Sequence, residues 1–142
     1  MKLLIRESDS EFYGRLTDGQ PVSSSMLAHT EVWAALMAKE RGEAIAPDLR
    51  RRAWQRFERY CLEEVVDLAS ITDAIGRRAN WIIERVHPRV PLRSLDALHL
   101  ATADQLQDWP LVTSDRRMRD AAALMGYPLS DPCPPPSGTG VS

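Results

Sequence analysis

Apolar residues recur at two spacings along this chain, and the alternation between them sets the expected architecture. Leu3, Leu4 and Ile5 form a short apolar run between Lys2 and Arg6. Ser8 or Asp9 then caps a short helix through Leu16, and Asp18-Gly19 makes a turn. Pro21-Val22-Ser23 is a strand candidate. Ser24 or Ser25 opens a long helix to about Arg41, stopped at Gly42. Leu27, Ala34, Ala35 and Ala38 share one of its faces, and Glu31 falls among them. Pro47 suits the first turn of the next helix. Its inner face is Leu49, Ala53, Phe57, Tyr60 and Cys61, with Arg52, Arg56 and Arg59 on the solvated side.

Glu64 to Leu68 reads as a strand. Ser70 or Thr72 caps a helix whose stripe is Ile71, Ile75, Ala79, Ile82, Ile83 and Val86. Ser94 is placed to cap a helix to Leu106, with Leu92, Leu95, His99, Leu100, Ala103 and Leu106 facing inward. Leu111-Val112-Thr113 is a buried strand of the parallel type. Asp115 begins a helix with Met118, Ala122 and Met125 inward, closed by Gly126, and Tyr127-Pro128-Leu129 is a last edge strand. Strands alternating with helices imply an α/β domain with a short parallel sheet over residues 1–130. Residues 131–142 are rich in Pro, Gly and Ser and read as a disordered tail.

Three carboxylates stand out against this pattern. Asp96 lies in the first turn of its helix, at the centre of the apolar stripe, where an unpaired charge is costly. Glu31 lies among alanines and has no capping role. Asp115 directly follows a strand, where α/β sheets gather ligands, although an aspartate there also serves as a plain helix cap. The bland reading of Asp96 is a structural ion pair with Arg93 or Arg116. His99 is read as a hydrogen-bonded core histidine, and Asp104 lies off the inward face.

Acids clustered without a histidine or cysteine set suit a hard cation, Mg²⁺ or Mn²⁺, which takes carboxylate oxygens and water. Such an ion relieves their mutual repulsion and supports attack of water on a phosphodiester. A Gly-rich phosphate loop, a nucleophile elbow and a zinc pattern are all missing. The net charge of −2 gives no global nucleic-acid signal, so any such site is a local patch. Cys61 and Cys133 show no metal spacing or disulfide framework, which fits a cytoplasmic protein. No apolar run nears the roughly 18 residues of a membrane span.

Ser94-Leu95-Asp96-Ala97-Leu98-His99-Leu100-Ala101-Thr102-Ala103 and Leu111-Val112-Thr113-Ser114-Asp115-Arg116-Arg117-Met118 resemble the PIN-domain ribonucleases. The likeness is closer to the VapC-like toxins of type II toxin–antitoxin pairs and extends to about Ser130. It implies a three-layer α/β/α domain with four acids around Mg²⁺ or Mn²⁺. Glu31, within Ser24-Ser25-Met26-Leu27-Ala28-His29-Thr30-Glu31-Val32, matches the second acid, Asp96 the third and Asp115 the fourth. Thr113 matches the supporting hydroxyl residue before the fourth. Arg93, Arg116 and Arg117 flank the acids, either to hold RNA or to balance charge. The implied partners are a cognate antitoxin protein, an RNA substrate and a second copy of the chain in a homodimer, with no membrane.

The first acid, which the family carries at the end of its first strand, has no counterpart. Lys2 to Glu7 reads as the following helix already under way, so the central first strand is expected to be missing. A start codon placed upstream or a truncated gene would each account for that. The expected function is a metal-dependent endoribonuclease toxin. The alternative is an inactive PIN-like module that binds an antitoxin without cleaving.

Overall fold

The computed structural model describes residues 3–6, as backbone, and residues 21–130. The helix and turn expected over 8–19 and the tail expected from 131 lie outside these residues. Strands β1 (Leu3–Arg6), β2 (Val22–Ser25), β3 (Val66–Ala69) and β4 (Leu111–Thr113) form one sheet. Its order is β3-β2-β1-β4, and every pairing is parallel.

The expectation of a missing central strand is overturned, because Leu3–Arg6 fills that place. Leu3 and Leu4 pair with Val22 and Ser23 on one side. Leu4, Ile5 and Arg6 pair with Leu111, Val112 and Thr113 on the other. An apolar run this short has no period that separates helix from strand. The rows of backbone donors and acceptors on β2 and β4 decide, since they need partners on both sides.

Other boundaries move as well: the second strand runs on to Ser25, so the helix expected to open at Ser24 or Ser25 starts at Leu27. The strand predicted from Glu64 begins at Val66. Glu64 has a positive φ of 59°, and the Val65 N–H still donates to the Tyr60 carbonyl. Both residues therefore belong to the turn that closes the preceding helix. The edge strand at Tyr127–Leu129 reduces to one parallel bridge, Leu111 with Leu129.

Five helices follow: α1 (Leu27–Arg41), α2 (Pro47–Leu62), α3 (Asp73–Val86), α4 (Ser94–Leu106) and α5 (Arg116–Met125). The Thr72 side chain caps α3 by accepting from the Ile75 N–H. Gly126, at φ 76°, closes α5 in the left-handed conformation that glycine adopts without steric cost. Ser94 is not the cap expected of it. Arg93 takes the cap position, without a side-chain bond, and Ser94 is the first helical residue.

The sheet separates two cores, which makes three layers. On one side Val22, Val66 and Val112 pack against Phe57 of α2, with Val32 and Trp54 partly buried beside them. On the other, Leu111 packs with Ile75 and Ile82 of α3, Leu100 of α4 and Met118 of α5. Helix α4 is the innermost element of that larger core. Ala97, Leu100, Ala101 and Ala103 are fully buried, and small side chains let the helix lie close to the sheet and to α3. Its burial therefore wraps most of its circumference, and the single stripe expected from sequence is too narrow. Leu95 and Leu106, assigned inward, are exposed at the two ends. In α1 the buried row is Ala28 and Leu36, whereas Ala34 and Ala38 are exposed. Glu31 thus sits on a flank of α1 that is open towards its C-terminal end.

Candidate active site

Because every strand runs the same way, their carboxyl ends share one edge of the sheet, and ligand sites of α/β folds form outside that edge. The N-terminus of α4 and the turn from β4 into α5 meet there. A cavity of about 450 Å³ lies between them, lined by Arg93, Ser94, Leu95, Asp96, Asp115, Arg116 and Arg117. Asp96 and Asp115, both singled out from sequence, therefore face one space.

Asp96 is placed by the core. It is 4 % exposed, on a helix anchored by Ala97 and Leu100, and the first turn of a helix favours negative charge. Asp115 is placed by local hydrogen bonds. One carboxylate oxygen, Oδ1, accepts from the Met118 N–H at 2.9 Å. Its own N–H donates to Thr113 Oγ1 at 3.1 Å. Thr113 thus fixes the turn that presents Asp115. Arg119 pins the same turn, donating to the carbonyls of Thr113 and Ser130 at 3.0 Å each. The capping role of Asp115 is real, and it occupies only one oxygen.

Arg93, Arg116 and Arg117 are exposed, and among the described residues none of them forms an ion pair. Arg93 and Arg116 form no ion pair with Asp96, although all three line one cavity. The three arginines line the cavity mouth as cations available to a polyanion.

Glu31, the third acid singled out from sequence, is not among the residues that line this cavity. Its Oε1 lies 2.7 Å from Nε2 of His99, and Nδ1 of His99 lies 3.2 Å from Ser25 Oγ. His99 is 1 % exposed and stands one helical turn after Asp96. His99, read from sequence as a core histidine, thus joins Glu31 to Ser25, read there as a helix opener. The available signal was spacing: His99 is three residues from Asp96, and Ser25 ends the strand that leads to Glu31.

Among the described residues, no three His, Cys, Asp or Glu side chains are grouped closely enough to hold a metal ion. Two carboxylates on one cavity still fit Mg²⁺, which commonly takes one or two carboxylates and completes its octahedron with water and substrate phosphate. Where the family pattern has its first acid, β1 ends in Arg6, opposite Thr113. Glu7 is next in sequence and lies outside the described residues.

Cys61 is a free thiol whose pKa is pushed up to about 11 by burial and then by the nearby Glu58 carboxylate. That makes it a poor nucleophile. Asp104, which the sequence reading leaves out of the site, contacts Arg78 and ties α4 to α3. No described helix is long and apolar enough to cross a membrane.

The sequence profile described as PIN domain matches residues 3–124, so this chain belongs to the PIN domain family. It is of the VapC-like kind: it is 35 % identical over 135 residues to ribonuclease VapC46 of Mycobacterium tuberculosis, across 93 % of this chain and 91 % of that protein. No solved structure gives a significant match.

Proposed function

We propose that this protein is a metal-dependent endoribonuclease, acting as the toxin of a type II toxin–antitoxin pair in the cytoplasm. The observation that carries the reading is the shared cavity: two carboxylates, Asp96 and Asp115, are lined up beside three arginines, Arg93, Arg116 and Arg117. The likeness to a VapC ribonuclease supports RNA as substrate; a cognate antitoxin as partner and a homodimer as the working unit are part of the same proposal.

Asp96 and Asp115 would hold Mg²⁺ or Mn²⁺; Glu31, the other expected acid, does not line their cavity. When bound, the cation supplies a lowered water pKa and neutralises charge on the phosphodiester. The protein's own residues do the rest. Arg93, Arg116 and Arg117 hold RNA phosphates across the cavity mouth, and their guanidinium forks orient the chain for in-line attack. Thr113 keeps Asp115 aimed into the cavity. Water adds to phosphorus, the bond from phosphorus to the 3′ oxygen breaks, and the products carry 5′-phosphate and 3′-hydroxyl ends.

The test is cleavage of a mixed RNA pool by the full chain with Mg²⁺, with chelator, and as Asp96→Asn. Cleavage is expected only in the first. Cleavage that survives both chelation and the substitution would remove the metal and Asp96 from the reaction.

A further inference from the structure

Beside the cavity of Asp96 and Asp115 lies a second hollow, between helices α3 and α4. It encloses about 620 Å³, within the usual range for ligand pockets. Ser94 lines both hollows, so they adjoin at the N-terminus of α4. The floor of the second is apolar: Ala79 is buried, and Ile83 and Leu98 are partly buried against the larger core. Its rim is polar, with Thr72, Asp73, Arg77 and Asn80 all exposed.

Gly76 keeps this hollow open. A glycine inside a helix costs stability, and Gly76 lies inside α3 without the positive φ of Gly126. A Cβ placed on it would meet no neighbouring part of the protein within 4 Å, so no close approach requires it either. What the missing side chain leaves is room. Charge then divides the two hollows. The first holds Arg93, Arg116 and Arg117, which suit phosphates. In the second, Asp73 and Arg77 carry opposite charges one helical turn apart, so it offers no net attraction to a polyanion. An apolar floor under a polar rim suits a flat base with hydrogen-bonding edges instead. Thr72 Oγ1 accepts from the Ile75 N–H at 3.3 Å and keeps its own proton to donate, and the Asn80 amide offers both donor and acceptor.

We propose that the hollow between α3 and α4 is a subsite for one unpaired base of the RNA, next to the phosphate that is cut, with Asn80 and Thr72 meeting the polar edge of that base; this deepens the ribonuclease reading given above and rests on it. A strand whose phosphates lie along Arg93, Arg116 and Arg117 passes Ser94, and the next base turns into the hollow. Single-stranded RNA is read in this way because its splayed bases expose their pairing edges. The subsite then selects which base stands beside the cut, and the cavity of Asp96 and Asp115 makes the cut.

Sequencing the product ends of a mixed-sequence RNA pool, cut by the full chain with Mg²⁺, tests this. The unsubstituted protein should favour one base at a fixed position beside the cut. Asn80→Ala should flatten that preference by about 10-fold, the scale of one good base contact. Gly76→Phe, whose ring enters open space, should fill the hollow and remove the preference. A merely structural loss would slow every site alike and leave the preference as it was. Thermal melting shows whether each variant folds, and Asn80→Ala, at an exposed position, decides alone if Gly76→Phe does not. No preference in the unsubstituted protein, or one unchanged in the folded variants, overturns the subsite and leaves the ribonuclease reading standing. So does a Gly76→Phe protein that keeps the preference but passes from dimer to monomer in gel filtration, since the hollow is then a contact between copies. If the unsubstituted protein cuts none of the pool, the ribonuclease reading falls and the subsite with it.

Discussion

The two faces of the sheet place their acids by different means. The face covered by α3, α4 and α5 has the larger core, and α4 is buried around most of its circumference. Asp96 is held there because its helix cannot rotate without disrupting the cluster that its Leu100 forms with Ile82 of α3 and Met118 of α5. The face covered by α1 and α2 has a smaller core around Phe57 and Val22. Its two helices meet largely through half-exposed aromatics: Trp33 lies edge-on to Trp54 at 4.8 Å, and His29 at 4.9 Å from Trp54. A carboxylate on that side needs a specific hydrogen bond to be fixed, and Glu31 has one in His99. The lesson is that packing can orient one member of a constellation while polar links must orient another.

Removing volume from the larger core tests the comparison most severely. Leu100→Ala should cost roughly 2–5 kcal/mol of stability in a denaturant titration, because a fully buried leucine leaves a cavity that its close-packed neighbours cannot fill. A loss under about 1 kcal/mol would mean that α4 is not the rigid element claimed here.

Next in size is Asp115→Asn. Asparagine caps helices as well as aspartate does, so stability should stay within about 0.5 kcal/mol. Cleavage should fall by about 100-fold or more, roughly 2.7 kcal/mol of barrier. Asp115→Ala adds the loss of the cap, about 1 kcal/mol in the same titration. Equal activity of Asp115→Asn and the unsubstituted protein would leave Asp115 as a cap alone.

On the looser face the effects should be smaller. Trp33→Ala removes the contact with Trp54 and the seat of Arg50, whose guanidinium lies 5.6 Å from the Trp33 ring centre. A double-mutant cycle between Trp33 and Trp54 should give a coupling of about 0.5–1.5 kcal/mol. A separate effect concerns Cys61. Its thiol titrates near 11 in the folded protein against an ordinary 9.0, so the unfolded chain ionises first as pH rises. The stability it contributes is whole below about pH 9 and is lost progressively as pH approaches 11. Alkylation at pH 8 should correspondingly be slower for the folded protein than for the unfolded one.

Sequence showed the site better than the scaffold that holds it. Asp96 and Asp115 were legible because each breaks a local rule: one is a charge on an apolar stripe, the other an acid directly after a buried strand. Leu111–Thr113 was legible for the same local reasons and keeps its predicted bounds. Leu3–Arg6 was not, because its strand character comes from two neighbouring strands distant in sequence. The burial of α4 was misjudged for a related reason. A helix packed on most sides has no single stripe, so Leu95 and Leu106 looked inward when only the middle of the helix is. The link from Ser25 through His99 to Glu31 joins residues up to 74 positions apart, and no spacing rule reaches that far.

The central claim is that Asp96 and Asp115 face one cavity in order to hold a hard divalent cation. Thermal melting of the full chain with and without Mg²⁺, beside Asp96→Asn treated identically, tests it most directly. A cation present at 100 times its dissociation constant should stabilise the unsubstituted protein by about 2.7 kcal/mol, a rise in Tm on the order of 10 °C for a domain of this size. Asp96→Asn should show no such rise. An equal rise in both proteins would place the ion elsewhere and contradict the claim.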